Sequence, residues 1–68
     1  METIKLKKEF IQLNQLLKLM GWAMSGGEAN QIIDDGLVKV NDKVELRRRN
    51  KLYKDFEIEF NGEKVILQ

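Results

Sequence analysis

The residues best suited to chemistry in this chain are four cations within five positions: Arg47, Arg48, Arg49 and Lys51. Arginine presents a planar fork of N–H donors that fits phosphate and also stacks on bases. Clustered arginine and lysine are typical of nucleic-acid-binding surfaces. The alternative is an exposed edge strand whose charges prevent aggregation, but four cations exceed what that role requires. The cluster therefore predicts a polyanion-binding site.

A second candidate is the backbone of Ser25, Gly26 and Gly27, which precedes an apolar helical stripe. Ser25 followed three residues later by Glu28 matches a capping box. The glycines leave N–H groups bare at the positive end of the helix dipole, and such an end accepts phosphate. The alternative is that Ser25 only caps the helix and that the glycines only make the bend after Trp22. The sequence leaves both interpretations open.

Positive charge is concentrated in one segment of the chain. The sequence has 12 Lys+Arg and 11 Asp+Glu, for a formal net charge of +1. Residues 39–54 alone carry +5, whereas residues 1–38 carry −1 and residues 55–68 carry −3. A polyanion-binding surface needs this kind of asymmetry. On charge alone, a solvated charged face is the alternative.

The composition argues against catalysis. The chain has no cysteine and no histidine, so it lacks a thiol nucleophile, the commonest general base and the commonest transition-metal ligand. Ser25 has no evident base beside it, and "SGGEAN" lacks the lysine and Ser/Thr of a P-loop. A chain of 68 residues also has a small core. We therefore expect no enzyme activity, cofactor, metal or small-molecule substrate.

One domain over residues 1–68 is predicted, because the sequence has no proline, repeat or low-complexity stretch. The apolar runs are too short to cross a bilayer, and no signal peptide opens the sequence. We expect a cytoplasmic protein with no membrane contact. Because no long exposed apolar stripe remains after the core is assigned, we also expect a monomer.

Hydrophobic periodicity predicts an α+β domain with a strand, two helices and about four short strands. "ETIKLK" alternates as a strand or extended arm. "FIQLNQLLKLMG" has one apolar helical stripe and a glycine, Gly21, where the helix should stop. The second helix is predicted from about Gly26 to Asp35, ended by Gly36.

The C-terminal half alternates as strands, which predicts a small, mostly antiparallel sheet packed on the two helices. "LVKVNDKVELR" predicts a hairpin at Asn41-Asp42 that directs Val44 and Leu46 inward. "RRRNKLYKD" is predicted as a basic loop, and "FEIEF" and "EKVIL" as a hairpin about Asn61-Gly62. Core positions are predicted for the aromatic residues Phe10, Phe56, Phe60, Trp22 and Tyr53, although Trp22 or Tyr53 could instead stack on a base.

Together, "LNQLLKLMG", "SGGEANQIIDDGLVKVN" and "VELRRRNKL" resemble the S4 RNA-binding domain. More narrowly, the chain resembles the small stand-alone bacterial S4-like proteins of the YaaA/YbcJ type. The resemblance extends from about residue 4 to residue 60. It implies the S4-like (αL) fold, binding to structured RNA that is often ribosomal, and no catalysis.

The resemblance also implies which residues contact RNA. Several residues match the family motifs, and these are Lys18, Ser25, Gly26, Gly27, Asn41, Arg47, Arg48, Lys51 and Leu52. Four departures are Asn30 in place of a lysine, Asp42 in place of a turn glycine, Arg49-Asn50 in place of Gly-x, and Tyr53-Lys54-Asp55, which lacks the glycine before the aspartate. The predicted RNA-binding set is Lys18, Ser25, Gly26, Gly27, Asn30, Lys39, Asn41, Lys43, Arg47, Arg48, Arg49 and Lys51.

Our first hypothesis is therefore a non-catalytic module that recognises the backbone shape of a structured RNA, with ribosomal RNA as the expected partner. The alternative is a protein-interaction adaptor that uses the acidic segment 55–63 and makes no direct contact with RNA. A duplex-DNA reader is a third option. It is disfavoured because the second helix offers Glu28, Asp34 and Asp35 to the phosphates and no cation.

Overall fold

The computed structural model describes residues 2–68. The chain begins with strand β1 (Glu2–Ile4) and a two-residue strand β2 (Ile11–Gln12). Helices α1 (Leu13–Leu19) and α2 (Gly26–Asp34) follow. The remaining elements are β3 (Val38–Val40), β4 (Lys43–Val44), β5 (Lys51–Leu52), β6 (Glu57–Phe60) and β7 (Glu63–Leu67). None of the helices within residues 2–68 is long and apolar enough to span a membrane.

The strands form a five-stranded mixed sheet and a separate two-stranded pair. The large sheet has the order β1-β7-β6-β3-β4, in which β1 is parallel to β7 and the other neighbours are antiparallel. The small pair joins β2 and β5, with Ile11 opposite Leu52 and Gln12 opposite Lys51. Two helices with a sheet were expected. The parallel edge strand and the β2–β5 pair were not, and the segment predicted as a basic loop contains strand β5.

The helix ends follow their capping residues. Ser25 is the N-cap of α2, and its Oγ accepts the backbone N–H of Glu28 at 3.1 Å. The Glu28 carboxylate accepts the backbone N–H of Met24 at 3.1 Å, one residue before the position that a standard capping box uses. Gly21 and Gly36 follow the two helices with φ of +75° and +73°. Helix α1 begins only at Leu13, because the two preceding residues pair with β5.

The core lies between the helices and the inner face of the large sheet. From the helices it receives the fully buried Leu13, Leu16, Leu17, Ala29 and Ile33. The strands contribute the fully buried Val38, Leu52, Ile58, Val65 and Leu67. Each fully buried valine, leucine or isoleucine side chain contributes about 1.5–3 kcal/mol of transfer free energy. This packing fixes the two helices on one face of the sheet and leaves the other face in solvent.

Val44 and Leu46 do not enter the core as predicted, since their side chains are 52% and 59% exposed. The cause is the register set by the two-residue turn at Asn41-Asp42, both at positive φ. That turn places Val44 directly opposite Lys39, which lies on the outer face. Residues directly opposite each other in an antiparallel pair share a face, so Val44 points outward.

The aromatic predictions hold for three residues and fail for two. Trp22 packs on Phe60 with ring centroids 5.6 Å apart, and its Nε1–H donates to Glu63 at 2.6 Å. Phe56 and Phe60 pack against the core. Phe10 and Tyr53 stay outside the core cluster and contact each other near the surface, with ring centroids 6.0 Å apart. Their distance from the core follows from the β2–β5 pair, which carries both residues on its flanks.

Substitutions in the core and on the outer sheet face should have clearly different effects on the free energy of unfolding. Ile33→Val removes one buried methylene, so we expect the free energy of unfolding to fall by about 0.5–1.5 kcal/mol. Val44→Ala changes an exposed side chain, so we expect a change within about 0.5 kcal/mol. Urea unfolding followed by Trp22 fluorescence measures both. A larger loss for Val44→Ala than for Ile33→Val would contradict the assignment of the two faces.

Candidate nucleic-acid interface

The basic segment, defined as residues 47–51, is docked on the first turn of α1. The backbone N–H of Leu13 donates to the Asn50 carbonyl at 2.9 Å, and that of Asn14 donates to the Arg48 carbonyl at 3.0 Å. The first N–H groups of a helix have no partner within the helix, and α1 has no side-chain cap. The backbone of the basic segment takes the place of that cap.

Two arginines of the basic segment are held by carboxylates of the same chain. Arg48 donates from Nε to Asp34 Oδ1 at 3.0 Å and from Nη2 to Oδ2 at 2.5 Å. Arg47 donates from Nε and Nη2 to the two oxygens of Glu45, at 2.9 and 3.1 Å. Such two-bond forks also suit phosphate. The side chains of Arg47 and Arg48 are 74% and 53% exposed, so solvent and ligands reach both pairs.

These forks change the ionisation of their acidic partners. The Arg48 hydrogen bonds hold the pKa of Asp34 below its ordinary value. In the same way, the Arg47 hydrogen bonds hold the pKa of Glu45 below its ordinary value, against a smaller opposing effect of burial. Both carboxylates are therefore charged at neutral pH, and each offsets one cation of the basic segment.

Arg49 and Lys51 differ from their neighbours. Of the ion pairs formed within residues 2–68, none includes either side chain. Both line an open depression with Arg47, Asn50 and Tyr53. The Lys51 ammonium lies 4.7 Å from the centre of the Phe10 ring, a cation–π contact. The depression thus combines free cations with an aromatic edge.

The groove between the two helices connects the basic segment to the start of α2. In its middle, Asn14 Nδ2 donates to Asn30 Oδ1 at 3.3 Å. The Oδ1 atom of Asn14 is buried and has no hydrogen-bond partner within residues 2–68. The exposed Lys18 lies one turn after Asn14 on α1, and Gly26 lies about one turn before Asn30 on α2. Helical spacing therefore places Asn14, Lys18, Gly26 and Asn30 along the contact between the two helices, which we call the seam.

The glycines at the start of α2 are not required by the fold. Neither Gly26 nor Gly27 has a positive φ. A Cβ atom on Gly26 would meet nothing within 4 Å, and one on Gly27 would meet only Ser25 Oγ at 3.9 Å. The left-handed residue of the bend is Gly21 instead. The interpretation that these two glycines make the bend is therefore wrong.

The β3–β4 hairpin carries the remaining predicted site residues. The N–H of Asn41 donates to the Glu57 carbonyl at 2.8 Å, and its Oδ1 accepts the N–H of Glu57 at 3.0 Å. Asn41 is thus a turn residue tied to β6. Lys39 lies opposite Glu59 on the outer sheet face, and Lys43 is exposed on the edge strand β4.

The structure thus divides the predicted set. Along the seam and the basic segment it brings together Lys18, Ser25, Gly26, Gly27, Asn30, Arg47, Arg48, Arg49 and Lys51, and it leaves Lys39, Asn41 and Lys43 on the hairpin. Sequence reasoning missed Asn14 and Phe10, and also the acidic partners Asp34 and Glu45, and it considered Tyr53 only as an alternative to a core position. Only Glu45 carried a local signal, since it lies two residues before Arg47. Within the described part of the chain, no three acidic side chains converge as a metal site would require.

Comparison with known proteins places the site in context. The S4 domain family model matches residues 4–68. "Putative RNA-binding protein YbcJ" of Escherichia coli is 41% identical over 59 residues, 87% of this chain and 84% of the relative. "Probable ribosome maturation protein RlbA" of Bacillus subtilis is 39% identical over 59 residues, 87% of this chain and 83% of the relative.

Solved structures show the same fold. The solution structure of Escherichia coli YbcJ, described as having an αL motif involved in RNA binding, superposes with a TM-score of 0.72 at 40% identity. The match covers 98% of this chain and 86% of YbcJ. The 30S ribosomal protein S4e of Thermoplasma acidophilum gives a TM-score of 0.63 at 29% identity, over 85% of this chain and 31% of S4e.

The Arg48–Asp34 pair gives a testable pH dependence. Because the pKa of Asp34 is lowered in the folded state, the pair stabilises the fold fully above the unfolded aspartate pKa of about 3.9. This contribution is lost as the pH falls through the folded pKa. We expect Arg48→Gln to raise the Asp34 pKa, measured by NMR titration of its carboxyl carbon. Arg49→Gln is the control, and an equal rise in that variant would show that only net charge acts.

Proposed function

Because the chain belongs to the S4 domain family, we propose that it is a non-catalytic module that binds structured RNA, with ribosomal RNA as the expected target. The names of its relatives support the class of ligand: one is named for RNA binding and another for ribosome maturation. We further propose that the protein acts in the cytoplasm as a monomer, without a cofactor.

The observation that carries the proposal is the alignment of free donors along one surface. We define the seam surface as Lys18, the α2 start at residues 25–27, Asn30 and the basic segment. At a rise of 1.5 Å per residue, the axis of α2 from Gly26 to Asp34 spans about 12 Å. Bare backbone N–H groups lie at one end of this span, and arginine forks lie at the other. Donors spread in this way suit a phosphate backbone better than a single anion.

The cations of the basic segment have two different roles in this proposal. Arg49 and Lys51 contact phosphates directly, because no carboxylate within residues 2–68 holds them. Arg47 and Arg48 must exchange a carboxylate for a phosphate, and their forks already have the geometry for it. An exposed ion pair contributes little net free energy, so this exchange is not prohibitive. Tyr53, 39% exposed at the rim, is available to stack on an unpaired base.

The adaptor alternative has weaker support. It relies on acidic residues 55–63 for contact with a protein partner. Within that segment, Glu63 accepts the Trp22 Nε1–H, and Glu57 lies 3.7 Å from Lys64 Nζ. Two of its carboxylates therefore already have partners within the fold, which leaves less free acidic surface than the sequence indicated.

The test of RNA binding is the salt dependence of affinity for a defined probe, an RNA hairpin with a 12-base-pair stem and blunt ends. Four to six phosphate contacts give log K against log salt a slope of about −3 to −5. We expect Arg49→Gln/Lys51→Gln to reduce the magnitude of that slope by about 1.8, because two contacts are lost. Lys64→Gln is the control, since Lys64 lies on the sheet beside Glu57.

Three results would contradict the proposal. The affinity could be independent of salt, Lys64→Gln could reduce the slope as much as Arg49→Gln/Lys51→Gln does, or the protein could prefer duplex DNA of the same sequence. Crosslinking and sequencing of RNA bound in cells, with an Arg47→Ala/Arg48→Ala variant beside the wild type, identifies the natural target. Recovery of the same sparse background with both proteins would favour the adaptor.

The start of α2 predicts opposite changes in stability and affinity. Gly27→Ala fits without a clash, and it reduces the freedom of the unfolded chain. We therefore expect the free energy of unfolding to rise by about 0.4–1 kcal/mol. A methyl group beside the bare N–H groups should weaken binding to the hairpin probe. Gln31→Ala, an exposed change in the same helix, is the control. If Gly27→Ala raised the stability and left the affinity unchanged, the α2 start would not be part of the interface.

A further inference from the structure

A second basic surface lies on the face of α1 that is turned away from Asn14 and Lys18. Gln15 and Leu19 follow those residues by one position each, so they lie about 100° further around the helix. Between them and segment 4–8 runs an open groove. Its apolar floor includes Leu6, Phe10 and Leu19. We call it the N-terminal groove.

Among the described residues, the groove is lined by cations and by no carboxylate. Its charged lining residues are Lys5, Lys7 and Lys8, all three exposed, and its polar lining residue is Gln15. The floor includes an exposed apolar side chain, because Leu19 is 61% exposed whereas Leu16 and Leu17 of the same helix are fully buried. An apolar floor beside lysines fits a ligand that combines a flat apolar group with negative charge.

Backbone hydrogen bonds hold one wall of the groove. The backbone N–H of Leu6 donates to the Gln68 carbonyl at 2.7 Å, and the N–H of Gln68 donates to the Ile4 carbonyl at 2.8 Å. These bonds extend the parallel pairing of β1 with β7 and hold the wall of the groove in place. A ligand would therefore not have to order this segment.

The N-terminal groove is continuous with the seam surface through one aromatic side chain. Phe10 lines the groove. The Lys51 ammonium lies 4.7 Å from the centre of the Phe10 ring, and the same ring contacts Tyr53. Lys51 and Tyr53 in turn line the depression of the basic segment. Lysines and aromatic rings thus alternate from the basic segment into the groove.

We infer that the N-terminal groove binds an unpaired stretch of the RNA whose folded part lies on the seam surface. A base packs on the floor formed by Leu6, Phe10 and Leu19, and Lys7 and Lys8 contact the flanking phosphates. The Gln15 amide offers both a donor and an acceptor to a base edge. Single-stranded RNA is recognised in this way, by stacking within a positive groove. The inference rests on the proposed function, because continuity with the seam surface favours RNA over an acidic peptide.

The test compares three probes: the blunt hairpin, the same hairpin with a ten-uridine 3′ extension, and the ten-uridine strand alone. We expect the extension to tighten binding to the wild type. Leu19→Glu should weaken binding to the extended hairpin about five-fold or more, the equivalent of one stacked base, and leave the blunt hairpin unaffected. Val44→Glu is the matched control, because it places the same charge at an equally exposed apolar site on the outer sheet face.

A second variant and an NMR titration test the groove without the Leu19→Glu substitution. For the uridine strand, Lys7→Gln/Lys8→Gln should reduce the slope of log K against log salt by about 1.4, and Lys54→Gln/Lys64→Gln should not. In NMR titrations with that strand, the Leu19 methyl and Gln15 side-chain amide signals should shift. Amide spectra of each variant verify that the fold is retained.

The outcomes separate the groove from the proposed function. The groove inference is overturned if the extension brings no gain, if Leu19→Glu and Val44→Glu behave alike, or if an acidic peptide shifts the Leu19 signals and the uridine strand does not. The proposed function fails separately if the wild type does not bind the blunt hairpin. In that case, shifts at Leu19 with the uridine strand would still support a single-strand site.

Discussion

The arrangement of this protein's cations depends on two backbone hydrogen bonds, from Leu13 and Asn14 to the carbonyls of Asn50 and Arg48. A helix without a side-chain cap needs acceptors for its first N–H groups. Here the basic segment provides these acceptors, and its bonds to the helix fix its position. Pairing of β2 with β5 continues the same junction. Positive side chains that would otherwise lie on a mobile connection are thereby placed beside both helices.

The carboxylates around this junction reduce its charge without blocking it. Asp34 and Glu45 each hold one arginine in a two-bond fork, so the surface is less positive than its sequence indicates. A phosphate placed where either carboxylate lies would form the same two bonds to the arginine. The internal ion pairs thus mark two positions at which an anionic group fits the arginine forks.

The sequence was a good guide wherever structure is local. Ser25 and Gly36 mark the ends of α2, and Asn61-Gly62 marks the last hairpin, because caps and turns depend on neighbouring residues. One local prediction was wrong: the two-residue turn at Asn41-Asp42 pairs Val44 with Lys39, so Val44 lies on the outer face. The other failures arose where distant segments meet. The place of Phe10 depends on a two-residue strand that pairs about 40 positions away. Likewise, the Arg48–Asp34 pair joins residues 14 positions apart with no periodic pattern between them. The acidic residues of the site were therefore visible as charges but not as partners.

The same junction also determines when the surface comes into existence. Its hydrogen bonds join residues more than 30 positions apart in the chain, and contacts of long sequence separation form late because a large loop must close first. The two helices can pack through nearer contacts before that point. A chain that has not yet extended past residue 50 therefore lacks the acceptors that place its arginines. The position of the basic segment beside α1 is completed only when residues 48 and 50 have met the start of that helix.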